Sequence, residues 1–168
     1  MPFVATQIFQ LFQGSPVTVR YRSGLRDTAG NPAHAATFIR QRLIVLDTAL
    51  QQSPDEHRRI LLHELFHFVW VRLGNPRRLA WEALLRTDRA KNALGEAGWS
   101  SEWRKDKLSA DDAGTRSRRW REYCCESFCD TGAWMYGTHV SEVTLSHSGL
   151  RARAKWFITT LGDTPFPI

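Results

Sequence analysis

The sequence predicts an α+β fold in which a small antiparallel sheet packs on a central helix, with a second, glutamate-bearing helix and additional helices around it. Three observations support this fold class. Two segments with strand character, 16–22 and 38–46, lie near the N-terminus. A mostly apolar helical segment follows at 53–73, between clear start and stop signals. A second long helical segment, 119–136, carries a row of acidic residues.

The two N-terminal segments have the patterns of β-strands. Residues 16–22 alternate apolar and polar side chains, and residues 38–46 are rich in β-branched side chains. The run Gly30-Asn31-Pro32 lies between them and is typical of a turn. We therefore expect the two strands to form a small antiparallel sheet.

The segment after the sheet predicts a buried helix. Ser53 is expected to cap it, Pro54 takes its first position, and Glu56 completes a capping box with Ser53. A Gly-Asn-Pro sequence stops the helix after Leu73. Apolar side chains occupy most of its circumference, which places this helix in the middle of the domain.

The rest of the chain is predicted to be mainly helical, with one irregular segment. Helices are expected at 79–94, 119–136 and 149–161. Residues 95–117 are polar and contain glycine, and they predict a loop or a poorly ordered excursion. Since no internal repeat or low-complexity tract interrupts the chain, we expect a single domain over residues 1–168.

The composition is that of an ordinary globular protein, with 168 residues of which 42% are hydrophobic and 24% charged. The three cysteines, Cys124, Cys125 and Cys129, are too crowded for a disulfide framework, which favours a reducing, cytoplasmic location. No apolar run of about 18 residues is present, so we expect no membrane association.

The formal net charge of +6 comes mainly from arginine. Nucleic acid is therefore a possible partner, but it is not favoured, because the basic clusters are dispersed and no nucleic-acid-binding motif accompanies them. A solvated basic surface is the simpler interpretation.

The central helix carries a pattern of metal-binding residues. His63 and His67 are four residues apart, so their imidazoles lie on one helix face and can bind one ion. Glu64 directly follows His63. It is poorly placed to bind the same ion but can reach a water bound to it, which is the position of a general base. Two satisfied core histidines are the structural alternative, although burying such a group without a ligand is costly. The pattern favours Zn²⁺.

A catalytic zinc site with an open position for water needs a third protein ligand. Glu122, Glu126 and Asp130 fall on one stripe of the helix at 119–136, at about 100° per residue. Because an aspartate is the commoner partner of a ligand histidine, we favour Glu126 as ligand and Asp130 as that partner. Glu122 stays the alternative third ligand, and a solvated acidic stripe paired with arginines is the structural alternative.

Two further groups of residues lie near these motifs in the sequence. Cys129 lies close to the acidic stripe, and a small buried side chain is a better interpretation than a metal ligand. Tyr136, His139 and His147 follow the acidic residues and are candidate donors to an oxyanion, but each is more typical of packing or solvation, so none is assigned to catalysis.

These motifs resemble those of gluzincin-type zinc metallopeptidases over roughly residues 40–135. The His-Glu-x-x-His sequence at 63–67, followed by Glu126 and Asp130, resembles the thermolysin-like and minigluzincin form. The alternative pair, Glu122 with Glu126, resembles the form found in ImmA/IrrE-type proteins. The two adjacent cysteines before Glu126 and the long polar segment 95–117 depart from these families.

The resemblance implies a zinc peptidase in which His63, His67 and Glu126 hold the zinc ion. By the same likeness Glu64 activates a water molecule and Asp130 hydrogen-bonds a ligand histidine. We therefore expect zinc-dependent hydrolysis, most simply of a peptide bond in a peptide or protein substrate. One rival is an ImmA/IrrE-like metal-binding regulatory protein with narrow or lost cleavage. The other is a basic nucleic-acid-binding module whose zinc is structural, in a site closed by four protein ligands.

Overall fold

The computed structural model describes residues 8–27, 29–137, 142–163 and 165–168, and it has the predicted α+β fold. The strands are short. They are β1 (Phe12–Gln13), β2 (Thr18–Arg22), β3 (Ala35–Phe38), β4 (Leu43–Asp47) and β5 (Phe166–Pro167). The α-helices of the described residues are α1 (Pro54–Arg72), α2 (Gly74–Ala90), α3 (Trp99–Asp106), α4 (Asp112–Thr115), α5 (Arg118–Tyr136) and α6 (His147–Leu161).

The main sheet has three strands in the order β2-β4-β3, and it is mixed rather than antiparallel. β3 and β4 are antiparallel, whereas β2 and β4 are parallel. The expectation of antiparallel pairing was thus wrong for β2 with β4. The physical reason is that the chain reverses direction inside segment 38–46, which was predicted as one strand. A 3-10 turn at Ile39–Gln41 makes this reversal, and Arg42 follows it with a left-handed φ of 49°. β1 and β5 form a separate parallel pair.

Helix α1 runs over the predicted segment, but its N-terminus is built differently from the expected capping box. The Ser53 side chain makes no capping hydrogen bond, and the Ser53 N–H, which Glu56 would bind in a capping box, instead donates to the Leu50 carbonyl at the end of a 3-10 turn. Pro54 in the first turn and two acidic residues after it, Asp55 and Glu56, suit the positive end of the helix. As expected for a central helix, most of α1 is buried.

Helices α1 and α5 pack closely against each other, and this contact brings the histidines near the acidic residues. Gly132 of α5 makes the approach possible, since a Cβ atom there would lie 2.5 Å from the Phe66 ring. Around this contact the aromatic rings of α5 and α6 pack on α1 and on one another; Phe128 stacks on Phe157 with ring centroids 4.8 Å apart. The two helices are therefore held in register by the main hydrophobic core.

The segment predicted as a loop, 95–117, contains helices α3 and α4, so that expectation was wrong. Helix α2 also begins earlier than predicted, at Gly74 directly after α1. The expected ends of α5, at Gly137, and of α6, at Leu161, are confirmed. None of the helices in the described part of the chain is both long and apolar enough to cross a membrane.

A buried ion pair fastens the chain just before α3. Arg153 of α6 and Glu96 are both fully buried, and the guanidinium donates to both carboxylate oxygens, with Nη2 to Oε1 at 3.0 Å. The Tyr123 hydroxyl donates to the same carboxylate at 2.6 Å. Burial alone would raise the pKa of Glu96, but the Arg153 charge outweighs this effect, so the pKa lies below its usual value. The segment that leads into α3 is thus anchored to α5 and α6.

Candidate metal centre

A cleft of about 420 Å³ lies between β3 and α3, with α1 and α5 as its floor. β3 is an edge strand of the main sheet and forms one wall, through Ala35, Ala36 and Thr37. Ser100 and Arg104 of α3 line the other wall. The floor carries the residues of the sequence motif, namely His63, Glu64, His67, Cys125 and Glu126.

The structure brings Glu126 to both histidines of α1. Oε2 of Glu126 lies 3.2 Å from Nε2 of His63, and Oε1 lies 3.9 Å from Nε2 of His67. The two imidazole rings are edge-to-face, with centroids 5.1 Å apart. Two ring nitrogens from α1 and one carboxylate from α5 therefore converge on the cleft floor, as the spacing of the residues predicted.

Asp130 lies where a partner of a ligand histidine is needed. It is 2% exposed, and its Oδ1 accepts a hydrogen bond from Nδ1 of His63 at 2.8 Å. Its Oδ2 accepts from the backbone N–H and from the hydroxyl of Ser101, both at 2.7 Å. With both nitrogens protonated, His63 also donates from Nε2 to Glu126, at 3.2 Å; in the neutral ring, a proton held on Nδ1 by Asp130 leaves the lone pair on Nε2.

The approach of α3 to Asp130 depends on Gly98. A Cβ atom at this position would lie 2.6 Å from Cγ of Asp130, and the glycine backbone is extended, with φ at −174°. Glycine is required here because the Asp130 carboxylate is close and is held by hydrogen bonds on both oxygens. The backbone conformation at Gly98 is not unusual. Gly98 and Ser101 together hold the first turn of α3 against the site.

His67 is supported by sulfur rather than by a carboxylate. Its Nδ1 lies 3.4 Å from Sγ of Cys125 and 3.5 Å from Sγ of Cys129. These sulfurs thus take the position at His67 that Asp130 takes at His63. If Nδ1 donates its proton to sulfur, the lone pair of His67 is also on Nε2, towards Glu126. The role of Cys125 was missed, although its spacing of four residues from Cys129 could have indicated a shared helix face.

Cys129 is a competing candidate for the third ligand. It is fully buried, as a small core residue should be, yet its sulfur lies within 4.8 Å of ligand nitrogens of both His63 and His67. These three residues form a compact group of metal-binding type in the described part of the chain. The site therefore offers two third donors, a carboxylate and a thiol.

The charges of the site stabilise one another strongly. Burial lowers the pKa of His63, but the Asp130 carboxylate and then Glu126 outweigh it, so that this pKa is raised well above its usual value. Burial likewise opposes the charged form of His67, yet Cys125, Glu126 and Glu64 raise its pKa to about 9. Burial raises the pKa of Glu126, and the hydrogen bond from His63 with the two imidazole charges lowers it far below its usual range.

Glu64 lines the cleft beside the histidines. Its Oε2 accepts a hydrogen bond from the Thr37 hydroxyl of β3 at 2.6 Å, so the sheet fixes the direction of this carboxylate. The carboxylate is thereby held on the floor of the cleft, one residue along α1 from His63, where the sequence placed a general base.

Two residues of α3 complete the surroundings of Glu126. The Ser100 hydroxyl donates to Oε2 at 2.5 Å, and the Arg104 guanidinium lies 3.6 Å from Oε1. Neither was identified from the sequence, because both fall in the segment predicted as a loop. The helical spacing of four residues between them was the available signal.

Glu122 does not join the site, so its choice as the alternative third ligand was wrong. Its side chain is 48% exposed, and its Oε1 accepts a hydrogen bond from Nε of Arg118 at 2.6 Å. A step of four residues turns a helix by about 40° beyond a full circle. At this turn α5 faces solvent, and the interpretation as a solvated acidic residue holds for Glu122 alone.

Of the three suggested oxyanion donors, Tyr136 and His147 do not line the cleft. The Tyr136 ring packs on Phe66, with centroids 5.8 Å apart, and His147 is an exposed first residue of α6. His139 lies outside the described residues. Arg104 is the cationic donor that the cleft itself provides.

Comparison of the chain with protein-family models, with curated proteins and with solved structures finds no match. The functional interpretation therefore depends on the geometry of the site.

Proposed function

We propose that the chain is a zinc-dependent hydrolase that cleaves peptide bonds, with His63, His67 and Glu126 as zinc ligands and Glu64 as general base. The observation that carries the proposal is the Glu126 carboxylate, 3.2 Å from Nε2 of His63 and 3.9 Å from Nε2 of His67, on the floor of an open cleft.

The donor set suits zinc. Two neutral imidazoles and one carboxylate occur in catalytic zinc sites, where the fourth position is left for water. The Asp130 carboxylate favours the tautomer of His63 that presents a lone pair at Nε2. The sulfurs of Cys125 and Cys129 act in the same way on His67.

The chemistry divides between the ion and the side chains. A zinc ion bound there would lower the pKa of a water molecule and polarise the carbonyl of the scissile bond. Glu64, with one carboxylate oxygen held by Thr37, accepts the proton of the attacking water and passes it to the leaving nitrogen. The Arg104 guanidinium on the cleft wall donates hydrogen bonds to the oxyanion that forms from the carbonyl.

The shape of the cleft favours a polypeptide over a compact small molecule. β3 is an edge strand of the main sheet, so one row of its backbone groups has no strand partner in the described part of the chain. An extended peptide can pair with such an edge while its carbonyl lies over the cleft floor.

The substitution Glu64→Gln tests the proposal. It keeps the size of the side chain but removes the base, so we expect hydrolysis of a denatured protein substrate to fall by a factor of about 10² to 10⁴. One equivalent of zinc should remain bound, measured by elemental analysis. Glu122→Gln, on the solvent side of α5, is the matched control and should cleave at the wild-type rate. Unchanged cleavage by Glu64→Gln would show that another group is the base.

A second candidate function is a closed metal site with a structural or regulatory role. The compact group of His63, His67 and Cys129 favours it, because thiolate ligation is typical of closed zinc sites. Replacing zinc by cobalt tests this candidate, since cobalt–thiolate bonds give a charge-transfer absorption. The closed site predicts that absorption and its loss in Cys129→Ser, whereas the hydrolytic site predicts no such band and a loss of cobalt affinity in Glu126→Gln.

A further inference from the structure

The cleft continues from the candidate metal centre along α3 as a groove of about 760 Å³. One wall is the chain from Pro32 to Ala35, which enters β3. The opposite wall is an aromatic and basic surface on α3, formed by Trp99, Trp103, Arg104 and Lys107. We call this groove the α3 groove.

The α3 wall presents apolar rings beside fixed positive charge. Trp99 is 62% exposed, an unusual loss of apolar burial for a tryptophan, and its ring lies 6.0 Å from that of Trp103. The Arg104 guanidinium and the Lys107 ammonium each lie 4.3 Å from the centre of the Trp103 ring. These cation–π contacts hold both cations along the groove.

Most acidic groups of the groove are already bound. Glu142 pairs with Arg59 at 3.1 Å, and the Asp27 carboxylate accepts hydrogen bonds from Ala29 and Asn31 in its own turn. Asp130 and Glu64 are held as described above. Lys107, in contrast, has no acidic partner within 4 Å among the described residues. The groove therefore offers a cation that an incoming acidic group can meet.

The spacing of Ser100 and Lys107 along α3 sets the expected register. Ser100 contacts Glu126, and Lys107 follows it by seven residues, which is roughly 10 Å along a helix axis. An extended peptide rises about 3.3 Å per residue, so the same span covers about three peptide residues.

We infer that the α3 groove is a substrate subsite for extended peptides that carry an Asp or Glu side chain about three residues from the scissile bond. Lys107 is the residue that recognises the acid, and Trp99 is the apolar surface on which the peptide lies. This inference rests on the proposed function and names its substrate class.

Peptide binding to the zinc-loaded Glu64→Gln protein tests the subsite without cleavage. The probes are labelled neutral peptides with blocked ends in which one Glu is moved position by position, and each is compared by fluorescence polarisation with its Gln counterpart. At one register we expect the Glu peptide to bind about twofold to fivefold more tightly. The advantage should shrink at high salt.

Charge reversal provides the control. In the same background, Lys107→Glu should reverse the preference towards a Lys-containing peptide, while Lys155→Glu, which changes the net charge equally on exposed α6, should preserve it. Equal binding of Glu and Gln peptides at every register overturns the subsite, as does an equal effect of the two reversals or an absence of peptide binding. Register-dependent binding without cleavage by the wild-type protein supports the subsite and overturns hydrolysis. Cleavage without an acidic preference does the opposite.

Discussion

In the proposed zinc site, replacing Asp130 by Asn should weaken zinc binding although Asp130 is not one of the proposed ligands. Both carboxylate oxygens of Asp130 accept hydrogen bonds, Oδ1 from His63 and Oδ2 from Ser101. An amide has only one acceptor. If its oxygen stays at Ser101, its NH₂ group faces Nδ1 of His63 and forces the ring proton onto Nε2, the nitrogen that must bind metal. If the amide turns around, its NH₂ group faces the Ser101 N–H and both donors lose their partner.

In either orientation of the amide, the zinc affinity falls. Loss of the partner of a ligand histidine lowers metal affinity about 10-fold to 100-fold. That ratio corresponds to about 1.4 to 2.8 kcal/mol of binding free energy. The site is 2% exposed at Asp130, so water cannot replace the lost acceptor, and we expect the upper half of the range.

Competition with a coloured zinc chelator at fixed pH measures the affinity. Thermal unfolding of the metal-free proteins establishes that Asp130→Asn is folded at the assay temperature. Glu122→Gln removes a charge from the same helix, but from the solvent side, and should bind zinc as the wild type does. Wild-type zinc affinity in a folded Asp130→Asn protein would refute the tautomer argument.

Three further predictions follow from the same geometry. Gly98→Ala should lower zinc affinity without altering a ligand, because its Cβ would lie 2.6 Å from Cγ of Asp130; unchanged affinity in the chelator assay would contradict this. Glu96→Gln should destabilise the fold by about 3 kcal/mol, since it leaves the Arg153 charge buried without its main counter-charge; chemical denaturation with a loss below about 1 kcal/mol would argue against it. The pKa of His67 is raised to about 9 and that of His63 is also raised, and zinc binds only neutral imidazole rings, so apparent zinc affinity should rise with pH up to and through about 9. Calorimetry in buffers of different ionisation enthalpy should detect the released protons, and a pH-independent affinity would exclude the effect.

The sequence was sufficient for the features that depend on local signals. Helix α1 was predicted because Pro54 and the Gly-Asn-Pro sequence mark its ends, and the four-residue spacing of His63 and His67 fixes a common helix face. Helix α5 and the position of Asp130 followed in the same way. These expectations needed no knowledge of how the helices pack.

The features that depend on packing could not be predicted. Helix α3 lacks a long apolar stripe, and its first turn is held by the buried Asp130 carboxylate, so its sequence reads as a loop. The sequence favoured Glu126 over Glu122 only through the presence of Asp130, whereas the rotation of α5 that turns Glu126 towards α1 depends on packing, including the contact of Gly132 with Phe66. The sulfur contacts of His67 depend on the same rotation.

Asp130 and Glu126 each contact both a histidine and α3, which links the folding of α3 to the assembly of the site. Each carboxylate is shared between a histidine and the start of α3, through Ser101 and Ser100 respectively. In the proposed metal site, ion binding and the folding of α3 are therefore coupled, since a partly unfolded α3 would release the carboxylates that orient the imidazoles. By reciprocity, an ion that binds to the ordered imidazole arrangement would make the local opening of α3 less favourable. The ion would then stabilise a helix, α3, whose own sequence favours helix formation only weakly.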